Sequence, residues 1–306
     1  MNSAIGLVAT APASYDGASS RLSAVTDPTE LRGQQRDRWE AAAPGWEQRA
    51  ATVSAAGAPL ADWLVKAAEL GRGDRVLEVA AGLGDVGFKA AQIVGSGGEV
   101  VISDGAEAMV EGAARRAEQF GLTQVTVVRM EAEWLDADAA SFDAVLSRWG
   151  YMLVVDPEAA LREARRVLKP GGRIALAAWQ AIDQNPWMAI ARSEFEALGL
   201  SAAPAPGAPD PFRFGEDGII AELLHAAGFV DVKVEPVGVV WRLASLDDWW
   251  EHMRSTSSIL GRAAAELSPA EHYQLRELLD QRYAPYVQPD GSVELPGSSW
   301  AASAEA

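Results

Sequence analysis

The chain has 306 residues, of which 26 are Lys or Arg and 43 are Asp or Glu, giving a formal net charge of -17 at pH 7. A protein that binds nucleic acid or an anionic membrane normally presents a basic face, so this balance disfavours both partners. The chain has no cysteine and 3 histidines, which excludes disulfides and a cysteine nucleophile and argues against a resident metal.

Residues 1–26 are rich in Ser and Ala and show no hydrophobic period, so we expect a flexible N-terminal arm there. No Lys or Arg precedes its short apolar patch, whereas a secretory signal would begin with one. No apolar run approaches the roughly 20 residues that span a bilayer. These features predict a cytoplasmic protein without a membrane span.

Two helices are predicted ahead of the first strand. Asp27-Pro28 combines a capping acid with Pro at the first helical position, which predicts a helix that runs to about Ala43. Pro44-Gly45 would break it, because proline disrupts a helix interior. Pro59 is predicted to start the second helix, which ends near residue 70.

From residue 75 onward, predicted strands alternate with predicted helices. The strands are RVLEVA (75–80), EVVIS (99–103), QVTVVR (124–129), DAVLS (143–147) and RIALAAW (173–179). The helices cover about 85–94 and 106–120, and a third begins at Asp156-Pro157 and ends in Lys169-Pro170-Gly171-Gly172. Apolar strands separated by helices indicate a parallel sheet covered on both faces, and right-handed crossovers make it doubly wound. The predicted fold class is α/β.

The first strand is followed by G-x-G-x-x-G at Gly82, Gly84 and Gly87. Asp104, which stands 20 residues after Gly84, ends the second strand at the edge where such sheets bind ligands, and it suits ribose hydroxyls. NAD enzymes and S-adenosylmethionine enzymes both use this arrangement, so the pattern alone leaves the two readings open.

Three features favour S-adenosylmethionine. Glu78 stands just before the loop, where its charge would oppose a diphosphate but suit an ammonium group. The third glycine of a dinucleotide fold allows close helix packing, but Gly87 is also explained simply as a small residue in a chain with 28 glycines. Glu131-Ala132-Glu133 follows the third strand and offers an acceptor where an adenine amino group would lie.

The segments VLEVAAGLG, VVISDGAEAMVEGA, MEAEWL and SFDAVLSRWGYMLVVDPEAALREARRVLKPGGRIALAAW resemble the class I S-adenosylmethionine-dependent methyltransferases. Within them the chain is most similar to the branch of the ubiquinone/menaquinone-biosynthesis C-methyltransferases and many small-molecule methyltransferases. The resemblance covers about residues 36–180, and the segment 221–237 also fits. It implies S-adenosylmethionine as cofactor, in-line methyl transfer and a seven-stranded, mostly parallel sheet with an antiparallel last strand.

The resemblance also implies which residues bind the cofactor. Glu78, Ala80, Gly82 and Gly84 would line its methionine part, although the family usually has Gly at position 80 and often Asp at 78 and 131. Asp104 would bind the ribose, and Gly105 and Met109 would lie near the adenosine. Glu131 and Ala132 would contact the adenine. Ser147 and Arg148 would close the edge of the pocket.

The rest of the chain is predicted to contain the methyl acceptor. VDVKVEPVGVVWRL (230–243) indicates a long strand, and SVELPGSSWAASA (292–304) indicates a last strand, which the resemblance places between the fifth and sixth. Ser245 and Ser268 are predicted helix caps. We therefore expect helices over 27–70 that cover the active site, a cofactor-binding core over 71–244 and 290–306, and a helical lid over 245–289.

The acceptor is expected to be a small molecule, quinone-like, aromatic or a natural product, methylated on oxygen or carbon. The chain has 11 Trp, and aromatic side chains clamp flat substrates and exclude water. An oxygen or carbon nucleophile would also lose a proton. Candidate bases are His252 and Tyr151, and candidate substrate contacts are Trp46, Trp149, Trp187 and Trp249.

Two other functions stay open at this point. The same fold and cofactor could serve a step without methyl transfer, such as a cyclisation, because no catalytic base is obvious. A NAD-dependent oxidoreductase is the less favoured reading. The sequence also leaves a homodimer open.

Overall fold

The computed structural model of the chain describes residues 27–200, 208–257 and 260–306. The predicted arm over 1–26 and the first part of the proline-rich segment 203–212 lie outside the described residues.

One seven-stranded sheet forms the centre of the fold, in the order β3-β2-β1-β4-β5-β7-β6. Strands β1 to β5 are parallel, and β7 pairs antiparallel with both β5 and β6. The predicted sheet is therefore confirmed, including the last strand between the fifth and sixth. The strands are β1 (Arg75–Glu78), β2 (Glu99–Asp104), β3 (Val125–Arg129), β4 (Phe142–Arg148), β5 (Leu168–Trp179), β6 (Val230–Leu243) and β7 (Val293–Glu305).

Helices cover both faces of this sheet. Within the described residues they are α1 (Pro28–Gln48), α2 (Ala50–Ala67), α3 (Asp85–Val94), α4 (Glu107–Gln119), α5 (Pro157–Val167), α6 (Pro186–Ala197), α7 (Ile219–Ala226), α8 (Leu246–Thr256), α9 (Leu260–Ala265) and α10 (Pro269–Tyr283). Side chains of the central strands, such as Leu77 and Val145, are completely buried because helices lie on either side.

Side-chain caps fix the starts of several helices. Asp27, Asp156 and Ser245 each accept a hydrogen bond from a backbone amide in the first turn of the helix that follows. Ser268 and Glu271 form both bonds of a capping box at the start of α10. These caps lie where the sequence places them. Among the described residues, no helix combines the length and the apolar character needed to cross a bilayer.

The predicted end of the first helix and the predicted start of the second are wrong. Helix α1 continues through Pro44 to Gln48, and α2 begins at Ala50 and contains Pro59 in its interior. An interior proline costs about 3 kcal/mol because it removes a backbone hydrogen bond. Here that cost is offset by tertiary contacts, since the residues after Pro59 include Leu60 and Leu64, which are completely buried.

The junction of α5 and β5 also differs from the prediction. Helix α5 ends at Val167, and the segment Lys169-Pro170-Gly171-Gly172 belongs to β5, not to a helix end. Leu168 pairs with Phe142 of β4, and the ladder shifts before it resumes at Arg173. Residues 169–172 therefore form an irregularity within β5, and the pairing of Leu168 with Phe142 keeps its start in the sheet.

Candidate active site

The glycine loop lies at the carboxyl end of β1 and leads into α3. Ala80, Gly82 and Gly84 have φ angles of 49°, 54° and 80°, all in the left-handed region. Strand β1 therefore ends at Glu78, two residues earlier than predicted, because the chain turns sharply at Ala80. A non-glycine residue in this region is strained by about 1–2 kcal/mol, and such strain is concentrated at functional sites.

The backbone amides of this loop are already used inside the protein. Gly82 donates to the Asp104 carboxylate (2.8 Å), Gly84 donates to the Ala81 carbonyl (3.0 Å), and Gly87 donates to the Glu78 carboxyl group (2.7 Å). In a dinucleotide fold, amides at this position point at the diphosphate. These three amides are therefore not offered to a phosphate group.

The N-terminus of α3 carries a carboxylate where a diphosphate would lie. Asp85 pairs with Arg116 (2.8 Å) and Arg148 (2.6 Å), and its side chain is 9% exposed. Burial alone would raise the pKa of Asp85, but the two guanidinium groups hold it below its usual value. A charged carboxylate here stabilises the helix terminus and occupies the position that a phosphate would take.

A cavity of about 1060 Å³ opens beside the loop, and we call it the cofactor cavity. It brings together most of the residues that the resemblance assigns to the cofactor. These are Ala80, Gly82, Asp104, Gly105, Met109, Glu131, Ala132 and Arg148.

Glu78, Gly84 and Ser147 are not part of the cavity wall, so the prediction that they line it needs correction. Glu78 is 1% exposed and lies behind the loop, where burial raises its pKa to about 8. A Cβ atom on Gly87 would come within 2.6 Å of the Glu78 carboxyl oxygen, so this position requires glycine for close packing. The buried acid fixes the loop to α3 and is not part of the cavity wall.

Asp104 combines a structural role with a position on the cavity wall. Its carboxylate accepts hydrogen bonds from the amides of Gly82 (2.8 Å) and Ala106 (3.0 Å). Desolvation raises its pKa, against the effect of these two donors. Each carboxylate oxygen has two lone pairs, so both oxygens can still accept a hydrogen bond from a ligand hydroxyl.

Helix α1 closes the cofactor cavity from the far side. Arg36 pairs with Glu131 (3.1 Å), and Arg32 pairs with Glu133 (3.1 Å). Glu40 accepts hydrogen bonds from the first amides of α4. Sequence reasoning does not find Arg32 and Arg36 as cavity residues. The available signal is their spacing with Gln35, because positions i, i+3 and i+4 share one helix face.

A second cavity of about 1000 Å³, the aromatic cavity, lies next to the first. Seven tryptophans line it, together with methionines and prolines. The indoles of Trp149 and Trp179 are stacked with centroids 4.3 Å apart, and Trp187 and Trp241 pack against Trp179. The tryptophans are Trp39, Trp46, Trp149, Trp179, Trp187, Trp241 and Trp249.

The two cavities share part of their walls. The predicted substrate residues Trp46 and Trp149 face both cavities, whereas Trp187 and Trp249 face only the aromatic one. Trp149 has a φ of 61°, and its Nε1 donates to the Ser299 hydroxyl (3.0 Å). The shared residues are Gln35, Trp39, Trp46, Val53, Trp149 and Leu153.

The two candidate bases lie in different places. His252 is part of the aromatic cavity wall, where burial lowers its pKa to about 4. Tyr151 is buried, does not belong to the wall of either cavity, and its pKa is raised by desolvation. The structure therefore does not place Tyr151 on either cavity wall, and its side chain packs in the hydrophobic core.

The cofactor cavity suits S-adenosylmethionine better than a dinucleotide. Its wall includes the carboxylates of Asp85, Asp104, Glu131 and Glu133, and also the guanidinium groups of Arg32, Arg36 and Arg148, which pair with three of them. The amides of the adjoining loop are occupied. The occupied loop amides cannot bind a diphosphate, and the Asp104 carboxylate disfavours its charge. S-adenosylmethionine is the cofactor that this donor set fits.

Comparisons with known proteins agree with this cavity. The ubiE/COQ5 methyltransferase family matches residues 61–196. The ubiquinone/menaquinone biosynthesis C-methyltransferase UbiE of Serratia proteamaculans is 30% identical over 175 residues, which cover 53% of this chain and 68% of that protein. The protein of the same name from Yersinia enterocolitica is 39% identical over 104 residues, which cover 34% of this chain and 41% of that protein.

Two solved structures share the fold. YcgJ from Bacillus subtilis superposes with a TM-score of 0.55 at 18% identity, and a candidate methyltransferase from Bacillus halodurans with a TM-score of 0.55 at 21% identity. Each comparison covers 80% of this chain and 97% of the other. At these identities the structures establish the fold alone. The Serratia relative and the family match identify the chain as a member of the ubiE/COQ5 methyltransferase family and a class I S-adenosylmethionine-dependent methyltransferase.

Proposed function

We propose that this enzyme methylates an oxygen or carbon atom of a flat small molecule, quinone-like, aromatic or a natural product, which binds in the aromatic cavity. The observation that carries the proposal is the shared wall of the two cavities. A donor in one cavity and an acceptor in the other would meet at that wall. The relatives named for ubiquinone and menaquinone C-methylation support an acceptor of this class.

The shape and chemistry of the aromatic cavity support a planar acceptor. Stacked indoles such as Trp149 and Trp179 provide flat apolar surfaces, and aromatic pairs contribute about 0.5–1.5 kcal/mol beyond their buried area. Among the described residues of its wall there is no Asp, Glu or Lys, and Arg38 is the charged one. A cationic amine would therefore find no counter-ion there.

The residues of the cofactor cavity have distinct proposed roles. S-adenosylmethionine supplies a methyl group on a positively charged sulfur. Asp104 accepts hydrogen bonds from the ribose, and Glu131 accepts one from the adenine amino group. Arg36 holds Glu131 in place through their ion pair (3.1 Å). Trp46, whose Nε1 donates to the Thr256 carbonyl (2.9 Å), joins α1 to α8 and keeps water out of the shared wall.

We do not assign proton removal to His252 or Tyr151. A His252 pKa of about 4 makes its neutral form a weak base, because the proton-accepting power of a group falls with its pKa. Tyr151 is buried and lies on neither cavity wall. Orientation in a water-excluding site contributes several kcal/mol to such a transfer, on the order of 7 kcal/mol or more in favourable cases. A cytoplasmic location and a homodimer stay predictions.

Methyl transfer is tested directly with a tritiated methyl donor and planar acceptors, including 1,4-dihydroxynaphthalene and a substituted catechol. We expect label in the organic extract, and mass spectrometry of the product to locate it on oxygen or carbon. Trp149→Leu should lower turnover by about two- to tenfold through lost stacking, whereas Trp63→Leu, outside both cavities, should not. Conversion of an acceptor without label would favour a cyclase-type reaction, and the proposal would fail.

A further inference from the structure

Two neighbouring rings on the wall of the aromatic cavity carry polar atoms that the described residues leave without a hydrogen bond. The atoms are Nε1 of Trp241 and Nδ1 of His252, and both are buried. The two ring centroids lie 5.0 Å apart. Buried polar groups are normally paired, because an unpaired one destabilises the folded protein. These two atoms therefore indicate a partner that the described part of the chain does not supply.

Other indole nitrogens of the same wall already have partners inside the protein. The nitrogens of three of them donate to the Thr256 carbonyl, the Ser299 hydroxyl and the Asn185 amide oxygen, and these belong in that order to Trp46, Trp149 and Trp187. The indole of Trp249 interacts with the hydroxyl of Tyr283. Trp241 and His252 are therefore the pair on this wall that can serve a ligand.

The chemistry of the pair fits an uncharged oxygen. Burial lowers the pKa of His252 to about 4, so its imidazole is neutral near pH 7. The charged groups that act on it, Arg49 and Asp248, pair with each other. The Trp241 N–H only donates, whereas a neutral imidazole has one nitrogen that donates and one that accepts. A hydroxyl or carbonyl oxygen accepts from Trp241, and a hydroxyl can also donate to His252, but an ammonium group cannot accept.

The pair lies on the acceptor side of the shared wall. Trp241 and His252 belong to the wall of the aromatic cavity and not to that of the cofactor cavity. Trp241 stacks near Trp149, which faces both cavities, with centroids 6.3 Å apart. An oxygen bound at the pair is therefore separated from the shared wall by about the span of one aromatic ring, so it is not the atom that meets the methyl donor.

We propose that Trp241 and His252 bind an uncharged hydroxyl or carbonyl oxygen of the acceptor, distinct from the atom that receives the methyl group. This inference rests on the proposed function and narrows its substrate class to planar compounds that carry such an oxygen besides the reacting atom. The pair orients the acceptor and exchanges no proton with the reacting atom. It gives His252 a binding role that does not require a base.

A matched pair of flat probes tests this directly. 2-Naphthol and naphthalene share one ring system and differ by a hydroxyl group, which is uncharged at pH 7. Equilibrium dialysis against the protein saturated with S-adenosylhomocysteine gives a Kd for each probe without any methyl transfer. The ratio of the naphthalene Kd to the naphthol Kd is the hydroxyl preference of the cavity.

Two variants remove the polar atoms and keep an aromatic ring. Trp241→Phe loses the indole N–H, and His252→Phe loses both ring nitrogens. We expect each to lower the hydroxyl preference by about three- to tenfold, the range for one hydrogen bond between neutral groups. The Kd of naphthalene should change by about twofold or less, which shows that the cavity is intact. Trp63→Phe removes an indole N–H outside both cavities and should leave the preference unchanged.

An unchanged hydroxyl preference in either variant, equal weakening of both probes, or no binding of either probe would overturn the inference. Methyl transfer to planar acceptors, seen together with an unchanged preference, would leave the proposed function standing. A preference lost in both variants without methyl transfer to any acceptor would instead contradict the proposed function and leave the oxygen site in place.

Discussion

Because Glu78 is buried, we expect it to make the protein less stable as pH rises. A carboxyl group whose pKa is lowered by folding would have the opposite effect. Burial raises the pKa of Glu78 from 4.5 to about 8, whereas the unfolded chain releases the proton near 4.5. Between these values the folded state binds more protons than the unfolded state, so the free energy of unfolding contributed by this group falls as pH rises. Its full contribution is present below about pH 4.5 and is lost near pH 8.

The size of the effect follows from the two pKa values. The difference between 4.5 and about 8 corresponds to roughly 5 kcal/mol at about 1.36 kcal/mol per pKa unit. Glu78→Gln keeps the shape and the acceptor for the Gly87 amide but does not ionise. We expect the variant to be less stable than wild type by about 1 kcal/mol at pH 5, because its NH₂ group lacks a partner, and to gain several kcal/mol relative to wild type by pH 8.

Urea denaturation followed by tryptophan fluorescence, at intervals from pH 5 to 9, measures this difference. Glu118→Gln, an exposed exchange on α4, serves as the matched control and should follow the wild-type curve. Asp104 and the other acids are present in all three proteins, so their contributions cancel in the comparison. Parallel curves for wild type and Glu78→Gln would refute the reasoning, because they would mean that Glu78 does not hold a proton in the folded state.

Three further changes test the packing of the site. Gly57→Ala should destabilise by about 1–3 kcal/mol and weaken S-adenosylhomocysteine binding in calorimetry, since its Cβ would overlap Nη1 of Arg148; greater stability, the result expected for an open helix position, would count against this contact. Trp46→Phe loses the bond to Thr256 and should cost about 1 kcal/mol of unfolding free energy in urea; an unchanged midpoint would mean that the bond contributes nothing. His252→Gln should leave the shape of the pH–rate profile above pH 6 unchanged, because its pKa of about 4 keeps it neutral there; a lost ionisation in that range would restore it as a base.

The sheet could be predicted from the sequence because its signals are local. Each strand from β1 to β5 is an apolar run next to a helix signal. A strand that is buried on both faces pairs its backbone with neighbouring strands, so such runs predict a parallel sheet. The start of α10 at Ser268 and Glu271 could also be predicted, because a capping box involves only four adjacent residues. Such features depend on neighbours in the chain.

The ends of α1 and α2 could not be predicted, because they depend on partners distant in sequence. Proline at 44 and 59 signals a break on local grounds. Helix α1 nevertheless continues through Pro44, because it docks against α4 and α8. Glu40 accepts hydrogen bonds from α4 amides, and Trp46 donates one to Thr256. The same docking brings Gln35 to the wall between the cavities.

The candidate site could be predicted in part for a related reason. Loop residues such as Gly82 and Asp104 follow strand ends whose position the fold determines, so they lie on the cavity wall as expected. Glu78 stands only two residues before the turn at Ala80, and the direction of its side chain depends on that turn. The sequence does not reveal a left-handed alanine, so it could not show that the acid lies behind the loop.

Isothermal titration calorimetry with S-adenosylhomocysteine and with NAD⁺ tests the central claim most directly, namely that the carboxylates and occupied amides shape the cofactor cavity for an adenosyl amino acid and not for a dinucleotide. We expect S-adenosylhomocysteine to bind one molecule per chain, and at 100 times its Kd to raise the free energy of unfolding by about 2.7 kcal/mol. NAD⁺ should produce no binding heat. Binding of NAD⁺ together with no heat from S-adenosylhomocysteine would contradict the account.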